Sequence, residues 1–236
     1  MRDTAETAIS WHDSIAPAFR DGYIRSRRFR DRLCTWRRLI DSYARPGDRV
    51  IDAGCGAGTL SFEIARIAAH VDGIDGSERM IKLARADAAE HGIANVSFSV
   101  ALLTALSSRA EQYDLALCSS VLEYLPDLRT EVARLVRTLR PGGRLILSLP
   151  NGSSGYRRFE ALAWRLTGRP HYYRHVRHVP CSTKVAIMLS ELGLSVLETA
   201  FYADPPLPSF VNWLAGPPHR RKTMFAIVAS RPCSDL

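Results

Sequence analysis

From Arg49 onward, short apolar runs rich in β-branched residues alternate with stretches whose apolar positions recur at helical spacing. Val50-Ile51 opens the series. Leu60, Ile64, Ile67 and Ala68 then mark one helix face, and Val71 to Ile74 a second strand. Ser77 is placed to cap the next helix, whose apolar face is Met80, Ile81, Ala84 and Ala88. Val96 to Val100 reads as a third strand. Leu115 to Cys118, apolar throughout, reads as a central parallel one. Leu128, Val132, Leu135, Val136 and Leu139 predict a helix stopped at Pro141-Gly142-Gly143, and Leu145 to Leu149 a fifth strand ended by Pro150. Two later strand-like runs, Leu194 to Thr199 and Phe225 to Ala229, complete a doubly wound, seven-stranded α/β sheet. In such sheets ligands bind beyond the carboxyl ends of the strands, so function is sought just after each strand.

Two segments fall outside this alternation. Residues 1–46 read as mostly helical, with Phe29, Leu33, Trp36, Leu39 and Ile40 on one face. Residues 152–181 hold Phe159, Leu162, Ala163 and Leu166, then the stretch from His171 to His178, rich in Tyr, His and Arg. Both are expected to be lids over the strand ends. The net charge of +8 is concentrated near the start, in Arg20, Arg25, Arg27, Arg28, Arg30, Arg32, Arg37 and Arg38. Such a face attracts nucleic acid, anionic lipid or acidic substrates. Asp21, Asp31 and Asp41, interspersed among these arginines, equally fit a solvated helix face. The five cysteines form no Cys-x-x-Cys pair, so neither a disulfide framework nor a metal site is expected. No apolar run reaches the roughly 20 residues that span a bilayer, and the start does not read as a signal peptide, so a cytoplasmic protein is expected.

Two motifs carry the chemistry. In Val50-Ile51-Asp52-Ala53-Gly54-Cys55-Gly56-Ala57-Gly58-Thr59, glycines at a strand-to-helix turn let backbone approach a ligand closely. Their G-x-G-x-G spacing, with Thr59 where the dinucleotide fingerprint has its third glycine, argues against a pyrophosphate-binding dehydrogenase. In Gly73-Ile74-Asp75-Gly76-Ser77, Asp75 ends the second strand about 20 residues further on, where a carboxylate can accept from ribose hydroxyls. Together they indicate a nucleoside ligand.

These motifs, followed by Tyr113-Asp114-Leu115, Val121-Leu122-Glu123-Tyr124-Leu125-Pro126-Asp127 and Leu139-Arg140-Pro141-Gly142-Gly143, resemble the class I S-adenosylmethionine methyltransferases. Within them the chain is most similar to the small-molecule branch that contains the ubiquinone O-methyltransferases. The resemblance implies a Rossmann-like core that binds S-adenosyl-L-methionine and yields S-adenosyl-L-homocysteine, with no metal. It implies a helical N-terminal lid over 1–46, the cofactor-binding core over 47–151, a lid insertion over 152–181, and the rest of the same α/β domain over 182–236. By the same resemblance Gly54, Cys55 and Gly56 pack on the methionine part and Asp52 steadies that end. Asp75 and Gly76 meet the ribose, Met80 lies near adenine, and Ser119 sits beside the sulfonium. Leu102 stands where the family often has an aspartate for the adenine amine, which leaves that task to backbone near Leu103. Tyr124 stands where the family often has histidine.

Methyl transfer from a sulfonium needs alignment in a dry cleft, and a phenol or alcohol also benefits from a general base. His12 and His175 are the base candidates, with His171 and His178 nearby, while Arg174 and Arg177 suit an acidic acceptor group. The expected acceptor is a small molecule, acidic or lipid-like, methylated on oxygen. An RNA or protein methyltransferase using the basic N-terminal region is the second reading. Against nucleic acid, Cys118-Ser119-Ser120-Val121 replaces the Asn/Asp-Pro-Pro-Tyr motif of base-methylating enzymes. A non-catalytic cofactor-binding protein of the same fold is the third. Phe210, Val211, Trp213 and Leu214 are candidates for contact with a membrane surface.

Overall fold

Each apolar run becomes a strand: β1 (Arg49–Ala53), β2 (His70–Asp75), β3 (Val96–Val100), β4 (Tyr113–Ser119), β5 (Leu139–Pro150), β6 (Ser195–Tyr202) and β7 (Met224–Ser230). They form one sheet in the order β3-β2-β1-β4-β5-β7-β6. The pairings among the first five strands are parallel, and β7 runs antiparallel to both β5 and β6. The structure is a computed structural model that describes residues 8–16, 26–207 and 216–233. The 210–214 membrane candidates, like Arg20 and Arg25, lie outside the described residues.

The chain reverses its direction of winding between β1 and β4, so a crevice opens above the ends of these two strands, at Asp52 and Ser119. Helices α3 (Thr59–Ala65), α4 (Glu78–Glu90), α5 (Leu128–Thr138) and α7 (Ser182–Glu191) cover the sheet faces. Ser77 caps α4 by accepting from the Met80 amide, as the sequence predicts. Asp127 caps α5 through the amides of Arg129 and Thr130.

One breaker acts differently from its sequence reading. Helix α5 ends at Thr138, and Pro141-Gly142-Gly143 lies inside the long β5. Tyr113 pairs with Leu139 but Leu115 pairs with Arg144, so the residues between bulge out of register. Gly142 takes φ +74° there, and its amide donates to Pro232 O. The breaker thus shapes a bulge at the strand's start rather than a turn before it.

The N-terminal segment splits into two parts with different work. Helix α2 (Arg27–Tyr43) puts Trp36, Leu39 and Ile40 wholly out of solvent against Val50, Leu115 and Ile146. It is a layer of the core as much as a lid. The buried Arg144–Asp48 pair, 2.7 Å apart, and a bond from Arg144 to Tyr43 O fix its end to the sheet. Residues 8–16, helix α1, lie over the end of β2, where Asp13 accepts from Ser77 Oγ and Ile9 packs on Gly76. After β5, α6 (Gly155–Thr167) and a short 3-10 turn (His171–His175) form the second cover. Its far end is tied down by the Arg177 and His178 amides, which donate to Glu123 O at 2.7 and 3.2 Å.

Candidate active site

A cavity of about 560 Å³ lies above the carboxyl ends of β1, β2 and β4, beneath α1 and the post-β5 cover. That is within the range of small-molecule and cofactor sites. One end is built by the glycine turn. The Gly54 and Cys55 amides both donate to Ile74 O, at 2.7 and 3.0 Å, and the Gly56 amide donates to Asp75 Oδ2 at 2.9 Å. The turn is therefore pinned to β2. Gly54 has φ +78°, and a Cβ on it would lie 2.1 Å from Val121 Cγ2, so only glycine fits.

Asp75 is partly buried and also accepts from the Ser77 amide at 2.8 Å. Burial pushes its pKa up, against the two amide bonds. Each oxygen spends one acceptor site on backbone and keeps another for a ligand. Gly76, Met80 and Leu102 line the cavity beside it, and Leu103 starts a 3-10 turn beneath. Leu102 is 52% exposed and supplies only apolar surface. Cys55 lines the cavity while packing against Ile81, Ala84 and Phe98, and burial pushes its thiol well up.

The middle of the cavity holds Asp52 and Ser119. Asp52 accepts from Ser61 Oγ at 2.6 Å, and burial raises its pKa to about 6. Ser119 Oγ accepts from Arg32 Nη2 at 2.7 Å. Arg32 brings a cation from α2 to the ends of β1 and β4, where its charge also bears on Asp52 and Glu123. An arginine among many gives no sequence signal for this role.

At the other end, Ser120, Glu123 and Tyr202 line the cavity, and Ser120 Oγ, Glu123 Oε2 and Tyr202 OH are buried without a hydrogen-bond partner among the described residues. Ser120 also holds φ +58°, the left-handed region that non-glycine residues rarely adopt. Glu123 is 3% exposed, and burial raises its carboxyl to about 7 despite the nearby guanidinium groups of Arg32 and Arg157. Glu131 Oε2 is a fourth such oxygen on the lining, and orphaned oxygens gathered around one cavity indicate a site built to be completed by a ligand. Arg157 closes this end from α6. It donates to Glu160 Oε2 and to Tyr172 OH, both at 2.7 Å, and to Thr223 O at 3.0 Å.

The two histidine candidates part company. His12 lines the cavity and bonds through Nδ1 to Ala8 O at 2.8 Å, which leaves the Nε2 lone pair available. Burial lowers its pKa, against the Ala8 bond and the Asp75 charge. Its ring meets Tyr124 edge-on at 5.1 Å. His175 lies behind, stacked on Trp11 at 5.7 Å, and does not line the cavity. Its Nε2 accepts from Arg174 Nε at 3.1 Å, so its lone pair is spent. His178 is bonded to Leu125 O, and His171 is exposed. Among the described residues no cluster of His, Cys, Asp or Glu could hold a metal.

These residues fit S-adenosylmethionine. Asp75 suits a ribose, the glycine turn admits close backbone approach, Asp52 suits an ammonium, and Arg32 suits a carboxylate.

A family model described as a methyltransferase domain matches residues 44–186. The chain is 38% identical over 109 residues to a ubiquinone biosynthesis O-methyltransferase of Hahella chejuensis, a match covering 46% of this chain and 45% of that protein. The chain thus spans about half the length of the curated relatives it matches. Among solved structures, a SAM-dependent methyltransferase of Methanosarcina mazei superposes with TM-score 0.61 at 22% identity, covering 83% of this chain and 98% of that one. An S-adenosylmethionine-dependent methyltransferase of Mesorhizobium loti superposes with TM-score 0.60 at 20% identity, covering 82% and 96%. Both share the Rossmann-like fold.

Proposed function

Because this chain belongs to the methyltransferase-domain family, we propose that it transfers the methyl group of S-adenosylmethionine to an oxygen of a small-molecule acceptor. The observation that carries this reading is one cavity with two chemically distinct ends. The Asp75 end is suited to a nucleoside, and the Glu123 end has orphaned oxygens under an apolar cover. The name of the Hahella relative supports oxygen as the methylated atom.

When bound, S-adenosylmethionine supplies a methyl carbon already activated by its sulfonium. The work left to the protein is binding, alignment and exclusion of water. Asp75 would hold the ribose hydroxyls, Gly76, Met80 and Leu102 would enclose the adenine, and Asp52 and Arg32 would hold the methionine ammonium and carboxylate. Ser119, held by Arg32, would form the wall beside the sulfonium. Helix α1 and the Arg157–Glu160–Tyr172 network, which ties α6 to the 3-10 turn after it, would shut out solvent. For a hydroxyl acceptor, Glu123 Oε2 would take the proton that the hydroxyl gives up as the methyl group passes from sulfur to oxygen, the sulfur leaving as a neutral thioether. His12, through Nε2, is the second group in the cavity able to do so.

Incubation with methyl-labelled S-adenosylmethionine and a panel of phenols, catechols, aliphatic alcohols and carboxylic acids tests this reading. Labelled product with an oxygen acceptor is expected. Label only on nitrogen or carbon, or on no acceptor, counts against it.

A further inference from the structure

Helix α6 has two unlike faces. Inward, Arg157 and Glu160 are buried and paired over the cavity. Outward, Phe159, Leu162 and Leu166 stand 63, 55 and 75% exposed. Their spacing of three and four residues places them in one stripe along the helix. Single exposed apolar residues are ordinary, but a contiguous stripe of large ones marks a surface that something covers.

The charge beside the stripe says what. Arg158 and Arg165 come next around the helix, and Arg169 follows its end; all three are exposed. None of them makes an ion pair among the described residues, whereas Arg157 is neutralised inside by Glu160. Across residues 152–181 there are six arginines and one acid, and that acid is the buried Glu160. A shallow cavity shared by Arg158, Phe159 and the exposed Arg220 continues the same surface. Apolar side chains bordered by unpaired cations, with no exposed carboxylate on the segment, match a layer of anionic headgroups over acyl chains.

We propose that the outer face of α6 docks on an anionic lipid surface, with Phe159, Leu162 and Leu166 entering the acyl boundary and Arg158, Arg165 and Arg169 on phosphates. The helix that docks is the one whose inner face closes the acceptor end. Docking therefore brings that end next to molecules dissolved in the bilayer.

The test is sedimentation of the whole chain with vesicles of equal phosphatidylglycerol and phosphatidylcholine, against phosphatidylcholine alone. No methyl transfer enters the readout. The chain is expected to pellet with the anionic vesicles, about tenfold less with the neutral ones, and less again in high salt. The triple substitution F159S/L162S/L166S is expected to cut binding about tenfold or more. Its thermal midpoint and its calorimetric affinity for S-adenosylmethionine should stay unchanged. R158A/R165A should abolish the preference for anionic lipid. Wild-type protein left in the supernatant with both vesicles overturns the proposal, as does undiminished pelleting of the triple variant. Light scattering that shows a dimer broken by the triple substitution assigns the stripe to a second copy instead.

Discussion

A methyl group is too large for Gly54. At φ +78° and with Val121 Cγ2 2.1 Å from where its Cβ would stand, Gly54→Ala must move the β1 turn or the segment after β4. It is expected to cost about 2 kcal/mol or more, read as a fall in thermal midpoint, and to weaken cofactor binding with it. Glu123 makes a prediction with a definite sign. Its carboxyl holds a proton up to about pH 7 in the folded chain, against 4.5 as its ordinary value. The folded state therefore binds more protons between these values, and stability falls as pH rises from about 4.5 to about 7. Asp52, raised to about 6, acts in the same direction. Glu123→Gln removes the larger contribution, so above pH 7 the variant should be the more stable protein in urea titrations, by at most about 3 kcal/mol. Equal stability of the two proteins at pH 8 would contradict a buried, unpaired carboxylate. The roles of Gly54 and Asp75 are legible in the sequence because strand, turn and acid sit within a fixed local spacing. Those of Arg32 and Glu123 are not. Arg32 meets Ser119 across 87 residues of chain, and the orphaned oxygen of Glu123 depends on burial by segments distant in sequence. His175 shows the converse: its type and segment suit a base, but a bond from Arg174 occupies its nitrogen.

Among the elements, α2 best shows how one segment serves two ends. Its C-terminal half buries Trp36, Leu39 and Ile40 against the sheet, and its N-terminal half carries Arg32 into the cavity. Trp36→Ala is expected to cost about 3–5 kcal/mol in denaturant titration, among the largest losses from any single truncation here. By loosening α2 it should also reduce cofactor affinity, although Trp36 does not line the cavity. The apolar stripe of α2 is plain in the sequence. Its place in the core is not, because periodicity gives the buried face and not what it is buried against. Strands were legible for the same reason: β3 runs from Val96 to Val100 as its pattern predicts. The start of β5 was obscured because Pro141-Gly142-Gly143 serves a bulge as well as it would serve a helix stop.

Over the whole molecule, the sheet order brings the ends of β1 and β4 side by side, and one segment from before β1 and one from between β5 and β6 reach over them. Alternating strands and helices reveal the doubly wound sheet but not the antiparallel β7, since a buried strand reads alike in either direction. Nor does the pattern show that the two lids meet, which depends on contacts such as Trp11 on His175. We propose that the cavity holds S-adenosylmethionine through Asp75. Calorimetric titration of the wild-type chain and of Asp75→Ala with that compound tests it most directly. Saturable binding at one site per chain is expected, weakened about tenfold or more in the variant while its circular dichroism is retained. No saturable heat with the wild-type chain, or the same isotherm for both proteins, would contradict it.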